Sequence, residues 1–387
     1  MGSKLIKDPR PLSFDYVPVV MPHRERQLSS AKALIEPVLV AGYTSCIFAG
    51  PVGTGKTLVA LKLEEHVKGL ARDAKSDLRV IHVNCRISST EGMVLTQVLK
   101  AFDPFFRERG TSFDEKICHL ASAIGSKGAR LLLVLDEVAH SYANIERAIY
   151  ALLRFHEYTR RENPISLILI SSKPVIELFD DSIRSIFKKN ILTFQPYSEN
   201  ELFDILRSRV PLALVPNAID DETLELIARS ASQSGDARRA IEILELSARG
   251  AESDGSSQIL AEHVRSAGAS IEPSMERSDF DRMPKHELLV MLGLARELRK
   301  KVETTTGAGR LAYAVACEER GLRPVGQTQY WKYVKKLEAL GLISTRGSSG
   351  PRRGKTTLIA LRDIPATQLI VLLTTLLRGR TGDGPEG

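Results

Sequence analysis

The chain has 387 residues, 43% of them hydrophobic and 26% charged, with a formal net charge of +7 at pH 7. That length exceeds one ordinary domain and predicts two or three, each with its own core. With no run of eighteen apolar residues, no charged-then-apolar leader and four isolated cysteines (Cys46, Cys85, Cys118 and Cys317), the composition argues against a membrane span, a secretory signal, a disulfide framework or a zinc site, and the expected setting is a reducing cytoplasm.

In chain order, Phe14 to Glu25 alternates turn formers with apolar residues and reads as an arm. A helix is predicted from Glu25 to Ala41, with Leu28, Ala31, Leu34, Ile35 and Val38 on its apolar face. Thr44 to Ala49 follows as a short buried strand. It feeds Gly50-Pro51-Val52-Gly53-Thr54-Gly55-Lys56-Thr57, which fits the phosphate-binding pattern G-x-x-x-x-G-K-S/T at every fixed position. The glycines let the backbone curl so that successive N–H groups point at the α- and β-phosphates, and the N-terminus of the next helix, Leu58 to Leu70, adds to the attraction. Lys56 is expected to reach the β- and γ-phosphates, and the Thr57 hydroxyl to ligate Mg²⁺.

A second buried strand is predicted at Arg79 to Cys85 and a helix at Glu91 to Phe102. Phe105-Phe106-Arg107-Glu108-Arg109-Gly110 is an aromatic and basic insertion. Arg107 and Arg109 there can touch nucleic acid, or the segment is a hydrophobic turn with charged edges. After a helix from Ser112 to Ile124, Arg130 to Leu135 is apolar on both faces, as central parallel strands are, and ends in Asp136-Glu137. Beside a phosphate loop, Asp136 can hold Mg²⁺ through water and Glu137 can polarise the attacking water. A helix is expected from Asn144 to Thr159, then a strand at Ile165 to Ser172. Ser171 or Ser172 can hydrogen-bond the γ-phosphate or lytic water, or simply cap the strand. A fifth strand is placed at Asn190 to Phe194.

This alternation implies an α/β fold: a three-layer, mostly parallel sheet of the phosphate-loop type with ligand at its carboxyl edge. From Ser198 the strands stop. Helical periodicity at Glu199 to Val210, Asp220 to Ser232, Asp236 to Ala248 and Gln258 to Ala267 predicts an all-α lid, and Gly268 to Asp281 a polar linker. The expected division is 1–195, 196–275 and 276–387. In the last part, helices are predicted at Lys285 to Arg299, Arg310 to Arg320 and Thr328 to Leu340, with a loop at Thr304 to Gly309. A strand, a Gly-Ser-Ser-Gly-Pro-Arg-Arg-Gly turn and a second strand to Leu361 complete a winged-helix layout. Val334, Leu337 and Leu340 form the apolar stripe of the third helix, leaving Gln329, Lys332, Tyr333 and Lys336 outward, where such helices meet a major groove. Arg346, Arg352, Arg353 and Lys355 cluster at the hairpin, a position suited to a phosphate backbone or minor groove. From Arg282 onward there are nineteen Lys and Arg against nine Asp and Glu, which points to a polyanionic partner.

With these residues in place, the chain resembles the replication initiators of the archaeal and eukaryotic origin-recognition family, AAA+ ATPases with a C-terminal winged helix. The resemblance rests on Pro18 with Pro22-His23-Arg24-Glu25, Asn84-Cys85-Arg86, Pro196-Tyr197-Ser198 with Glu201-Leu202, Gly235-Asp236-Ala237-Arg238, and Leu337-Glu338-Ala339-Leu340-Gly341-Leu342-Ile343. It implies an adenine site beside the arm and Tyr197, a nucleotide contact from Arg209, and a γ-phosphate sensor at Arg238. The implied ATP/ADP-binding set is therefore Val17 and Arg24 on the arm, Gly50, Pro51, Val52, Gly53, Thr54, Gly55, Lys56, Thr57 and Leu58 at the loop, and Tyr197, Arg209 and Arg238. Asp136, Glu137 and Ser172 form the catalytic set, with Mg²⁺ on Thr57 and Asp136.

The chain departs from the family at two places. Ser172 stands where an asparagine is usual, and Ser185 is followed by Ile186 and Phe187 where an arginine is usual. These departures imply a weak ATPase acting as a switch. The resemblance also implies double-stranded origin DNA, a replicative helicase and other initiator subunits as partners, at the chromosome and away from any membrane. The alternative from the residues is an AAA+ regulator or adaptor whose winged helix docks protein.

Overall fold

The computed structural model describes residues 4–39, 42–107, 110–159, 162–173, 177, 179, 181–271, 278–281, 283–348, 356–362 and 364–379. It divides into two compact units, one of Val17–Tyr197 and one of Met1–Tyr16 with Ser198–Gly387.

The first unit alternates helices and strands: α1 (Glu25–Ile35), β1 (Ser45–Ala49), α2 (Lys56–Asp73), β2 (Leu78–Asn84), α3 (Glu91–Phe102), α4 (Phe113–Lys127), β3 (Arg130–Asp136), α5 (Tyr142–Leu153), α6 (His156–Thr159), β4 (Ile165–Ser171), α7 (Asp181–Phe187) and β5 (Ile191–Thr193). All five strands pair in parallel in the order β2-β3-β4-β1-β5. Strand alternation sorts the core into two layers. Leu131, Leu133 and Leu135 join Leu167 and Leu169 against α3, α4 and α5, while Leu132, Val134, Ile168 and Ile170 face α1 and α2. A strand that buries both faces must sit inside the sheet, which explains the unbroken apolar run of β3.

Two helices of this unit end differently from the periodicity reading. The helix expected over Asn144 to Thr159 is two helices, because Asn163 donates from Nδ2 to the carbonyl oxygens of Leu152 and Leu153, satisfying the exposed end of α5. The helix expected to reach Ala41 stops at Ile35 and tightens into a 3₁₀ turn over Glu36–Leu39. A sharp start is kept at α4, where Ser112 and Glu115 form a reciprocal capping box.

The second unit opens with the lid helices α8 (Glu199–Ala213), α9 (Asp221–Ser232), α10 (Ala237–Ser253) and α11 (Ala261–Ile271). The N-terminal segment packs on them rather than on the sheet. The Leu5 and Ile6 N–H groups donate to Glu252 Oε1, and Ile6 bridges Leu214 in antiparallel fashion. The remainder comprises α12 (Ser278–Asp281), α13 (Lys285–Leu298), β6 (Thr304–Thr305), α14 (Thr306–Glu318), α15 (Gln327–Ala339), β7 (Ile343–Ser348), β8 (Thr356–Leu361) and α16 (Ala366–Gly379). The loop expected at Thr304 to Gly309 is instead a two-residue strand pairing with Ile359 and Leu358, followed at once by α14. The antiparallel sheet β6-β8-β7 is thus three-stranded. Arg265 of α11 is 1% exposed and donates to the carbonyl oxygens of Leu298, Lys301 and Val302, tying lid to winged helix.

Candidate nucleotide site and nucleic-acid face

The loop Gly50–Gly55 hangs between β1 and α2 and is fixed from both sides. Phe194 N–H donates to Ala49 O at 2.7 Å and Gly50 N–H to Ser171 O at 3.3 Å. A Cβ on Gly50 would lie 2.1 Å from Phe194 O, so this position admits no side chain. Gly55 caps α2 with φ +87°, and no side chain caps the helix, so the first-turn amides are left to face the loop. Lys56 is 7% exposed, and its Nζ donates to Gly50 O at 2.6 Å and Pro51 O at 2.5 Å. Thr54 is buried and donates its hydroxyl to Pro51 O. Pro51 and Val52 are exposed, while Gly53, Thr57 and Leu58 are half-buried.

The arm reaches this loop through Arg24. Its guanidinium donates from Nε to Thr54 O at 2.8 Å and from Nη2 to Gln195 O at 2.7 Å, and it stacks 3.7 Å from the Tyr197 ring centroid. Tyr197 is buried, with its hydroxyl 2.9 Å from where a Gly55 Cβ would stand. Val17 is half-buried at the start of the arm. Arg24 and Tyr197 therefore brace the phosphate loop from the β5 side.

Asp136 ends β3 in register with Asn84 of β2. Its Oδ2 accepts the Thr57 hydroxyl at 2.8 Å, and its Oδ1 accepts the Glu137 N–H at 2.7 Å. Donating that proton leaves the Thr57 oxygen lone pairs available. The hard hydroxyl and carboxylate oxygens together suit Mg²⁺, which keeps most of its shell as water and phosphate oxygen. Among the described residues no group of three His, Cys, Asp or Glu converges on a metal. Glu137 takes the left-handed conformation, φ 57° and ψ 37°, a strained state for this residue type. Its carboxylate lies 4.0 Å from Arg86 Nη1. Ser172 is half-buried, whereas Ser171 is buried and its hydroxyl donates to Lys173 O, so of the two serines it is Ser171 that closes the strand end.

Sequence reasoning missed the group behind Asp136. His82 on β2 lies between Glu64 of α2, 2.5 Å from Nδ1, and Asp136 Oδ2, 3.5 Å from Nε2. Burial disfavours the imidazolium, but the two carboxylates outweigh it and push the His82 pKa up to about 9. Burial raises the Asp136 carboxyl, and His82 and Thr57 more than offset this, holding it below the ordinary carboxylate range. The signal was present in the chain as an isolated Glu in the apolar stripe of α2 and a His inside a strand.

Arg209 is buried rather than solvated. It donates to Pro11 O at 2.8 Å with its guanidinium over the Tyr16 ring, so in this unit it holds the N-terminal segment on the lid. Arg238 is exposed in the first turn of α10, whose amide ends are capped by Asp236.

On α15, Gln329 and Lys332 are exposed, and neither bonds a side chain among the described residues. Tyr333 departs from the outward reading. It is half-buried and stacks on His286 of α13, with centroids 6.4 Å apart and planes 4° from parallel. Leu340, expected in the apolar stripe, is 52% exposed because α15 ends before it, while Val334 and Leu337 are buried as expected. Lys336 is exposed but pairs with the buried Glu287 at 2.7 Å, and Arg346 pairs with Glu303. Arg107 is exposed in the insertion, beside Phe105 at 91% exposure. Arg109, Arg352, Arg353 and Lys355 lie outside the described residues.

Comparison with known proteins agrees with this layout. Residues 41–179 match an AAA domain family model, 203–269 a Cdc6 AAA+ ATPase-type lid domain, and 279–379 the C-terminal winged helix domain of CDC6. ORC1-type DNA replication protein 2 of Saccharolobus solfataricus is 30% identical over 372 residues, covering 92% of this chain and 90% of that protein. The crystal structure of Cdc6p from Pyrobaculum aerophilum superimposes with a TM-score of 0.85 at 27% identity, covering 97% of this chain and 100% of that one. The Aeropyrum pernix ORC1 protein in complex with DNA does so with a TM-score of 0.63 at 26% identity over 98% of each chain. An AAA domain, a Cdc6-type lid and a CDC6-type winged helix therefore follow one another along the sequence, and the chain belongs to the ORC1/Cdc6-type family of AAA+ DNA replication initiators.

Proposed function

We propose that this initiator binds ATP and ADP at the Gly50–Thr57 loop, binds origin duplex DNA through its winged helix, and uses slow ATP hydrolysis as a switch rather than as an engine. The observation that carries the nucleotide half is the direct bond between Thr57 and Asp136, which brings the two hard oxygen ligands of a Mg²⁺ site together. Thr57 and Asp136 would hold Mg²⁺, which would supply positive charge to offset that of the triphosphate. Lys56 would turn from its loop carbonyls to the phosphates, Arg24 and Tyr197 would hold the loop open beside the adenine, and Glu137 would orient the attacking water. Slow hydrolysis is supported by Ser172 standing at the strand end usually held by asparagine, and by Ser185-Ile186-Phe187 offering no arginine in the usual place.

For DNA, support comes from the exposed Gln329 and Lys332 on α15 and the basic excess after Arg282. The relative from Aeropyrum pernix was solved on DNA. Arg107 and Arg109 would add a contact from the α/β unit. Nucleotide state, sensed by Arg238, would alter the grip on DNA and with it helicase loading at the chromosome. The domain limits fitting this division of labour are about 1–195, 196–275 and 276–387, with residues 4–16 docked on the lid.

Equilibrium dialysis with Lys56→Ala tests the first half: ATP binding should be almost abolished, and unchanged affinity would sink the site. Anisotropy titration of origin-derived and random duplexes, with ADP and with ATP, tests the second. Feeble, salt-insensitive binding to both would favour a winged helix that docks protein.

A further inference from the structure

The winged helix holds an acid against its own basic hairpin. Glu303 lies between α13 and β6 with its side chain 7% exposed, and both carboxylate oxygens are occupied. From β7, Arg346 donates Nε–H to Oε1 at 2.8 Å and Nη2–H to Oε2 at 2.7 Å. From the lid helix α9, Arg229 donates Nη1–H to the same Oε1 at 2.9 Å, and its Nε–H goes to Glu199 of α8 at 3.2 Å. Two anions and two cations thus run from the lid to the hairpin in a hydrogen-bonded chain that is neutral in itself, with Glu225 of α9 a further acid acting on Arg346 through space. Burial raises the Glu303 carboxyl, but the hydrogen bonds from Arg346 and Arg229 outweigh it and hold it below the usual carboxylate range. The Arg346 Nη1 group bonds nothing among the described residues, and the side chain is 55% exposed.

Resting on the DNA-binding reading above, we infer that Glu303 is a positioning residue for the wing: it grips Arg346 by its Nε–Nη2 edge, presents the Nη1 edge outward, and cancels its charge. Counterion release requires net neutralisation of a phosphate by an unpaired cation. Arg346 then contributes a directed hydrogen bond to DNA and almost nothing to salt dependence, in contrast to Lys332, which has no acid partner among the described residues. A fork fixed by a buried carboxylate loses little rotamer freedom on binding. The same carboxylate is held by the lid through Arg229, so the orientation of the wing cation is set partly by a lid helix.

The test is anisotropy titration of the full chain with a short duplex across a salt series. Lys332→Ala should flatten the log–log slope by about 0.9, which calibrates one phosphate contact. Arg346→Ala should weaken binding about fivefold, the loss of one hydrogen bond, and leave the slope unchanged. Glu303→Gln should steepen the slope by about 0.9, because Arg346 gains a net charge, and the double variant should return to the wild-type slope. A slope flattened by Arg346→Ala, or unmoved by Glu303→Gln, overturns the inference while leaving the DNA reading intact. Absence of salt-dependent binding by the wild type overturns both. If Glu303→Gln does not fold, the slope of Arg346→Ala decides alone.

Discussion

At Gly50 the loop, β5 and the phosphate site meet within one methyl radius. Gly50→Ala would put Cβ 2.1 Å from the carbonyl oxygen of Phe194, a residue whose own N–H is bonded to Ala49 O, so strand or loop must shift. We expect this variant to lose most nucleotide binding by equilibrium dialysis and about 2–3 kcal/mol of stability, the scale of a forced overpacking. His82 gives a pH signature. Its folded pKa is raised to about 9 from an ordinary 6.5, so its contribution is full below about pH 6.5 and is lost as pH rises through 9. Without nucleotide or metal, the unfolding free energy of the α/β unit from urea titration should therefore fall between pH 7 and 9.5, by at most about 3 kcal/mol, and His82→Gln should flatten that fall. Lys56, Thr57 and Asp136 were legible because their spacing is dictated by a phosphate and a metal. His82 with Glu64, and the burial of Arg24, were not legible, because they depend on which strand lies beside which and on the face that α2 turns to the sheet.

Element by element, the parts that periodicity captured were those whose ends are set locally. The Ser198–Glu201 capping box fixes the start of α8, and Ser198→Ala should cost about 1 kcal/mol by chemical denaturation. Elements set by distant partners escaped the sequence. The break between α5 and α6 depends on Asn163, and β6 exists only because β8 is there to pair with it. Arg265 shows the same dependence. A charged residue on a polar-looking helix is buried because the end of α13 and the residues just beyond it offer three carbonyl oxygens. Arg265→Leu keeps the bulk and removes the donors, leaving those acceptors without their guanidinium. We expect a loss of about 2–4 kcal/mol in the lid and winged-helix transition, with nucleotide affinity unchanged.

The molecule as a whole is two compact units threaded by one chain that changes unit between Tyr16 and Val17 and again between Tyr197 and Ser198. The two-layer core of the α/β unit is complete without the lid, and the winged-helix core around α13 is complete without the sheet. Separate cores make separate cooperative units the expectation. A ligand that binds one native unit stabilises that unit by mass action, by about 2.7 kcal/mol at a hundred times its dissociation constant. Saturating ADP with Mg²⁺ should therefore slow amide hydrogen exchange about a hundredfold at Leu132–Leu135 in β3, where only unfolding of the α/β unit exposes the amides. The amides of Leu289–Leu292 in α13 should slow much less, by no more than the share of binding that Arg238 on the lid supplies, because opening of their unit leaves the Gly50–Thr57 loop in place. Equal slowing in both segments would mean that the units open as one. The nucleotide would then act on the DNA-binding half through global stability, not through a change of angle between two independently stable bodies.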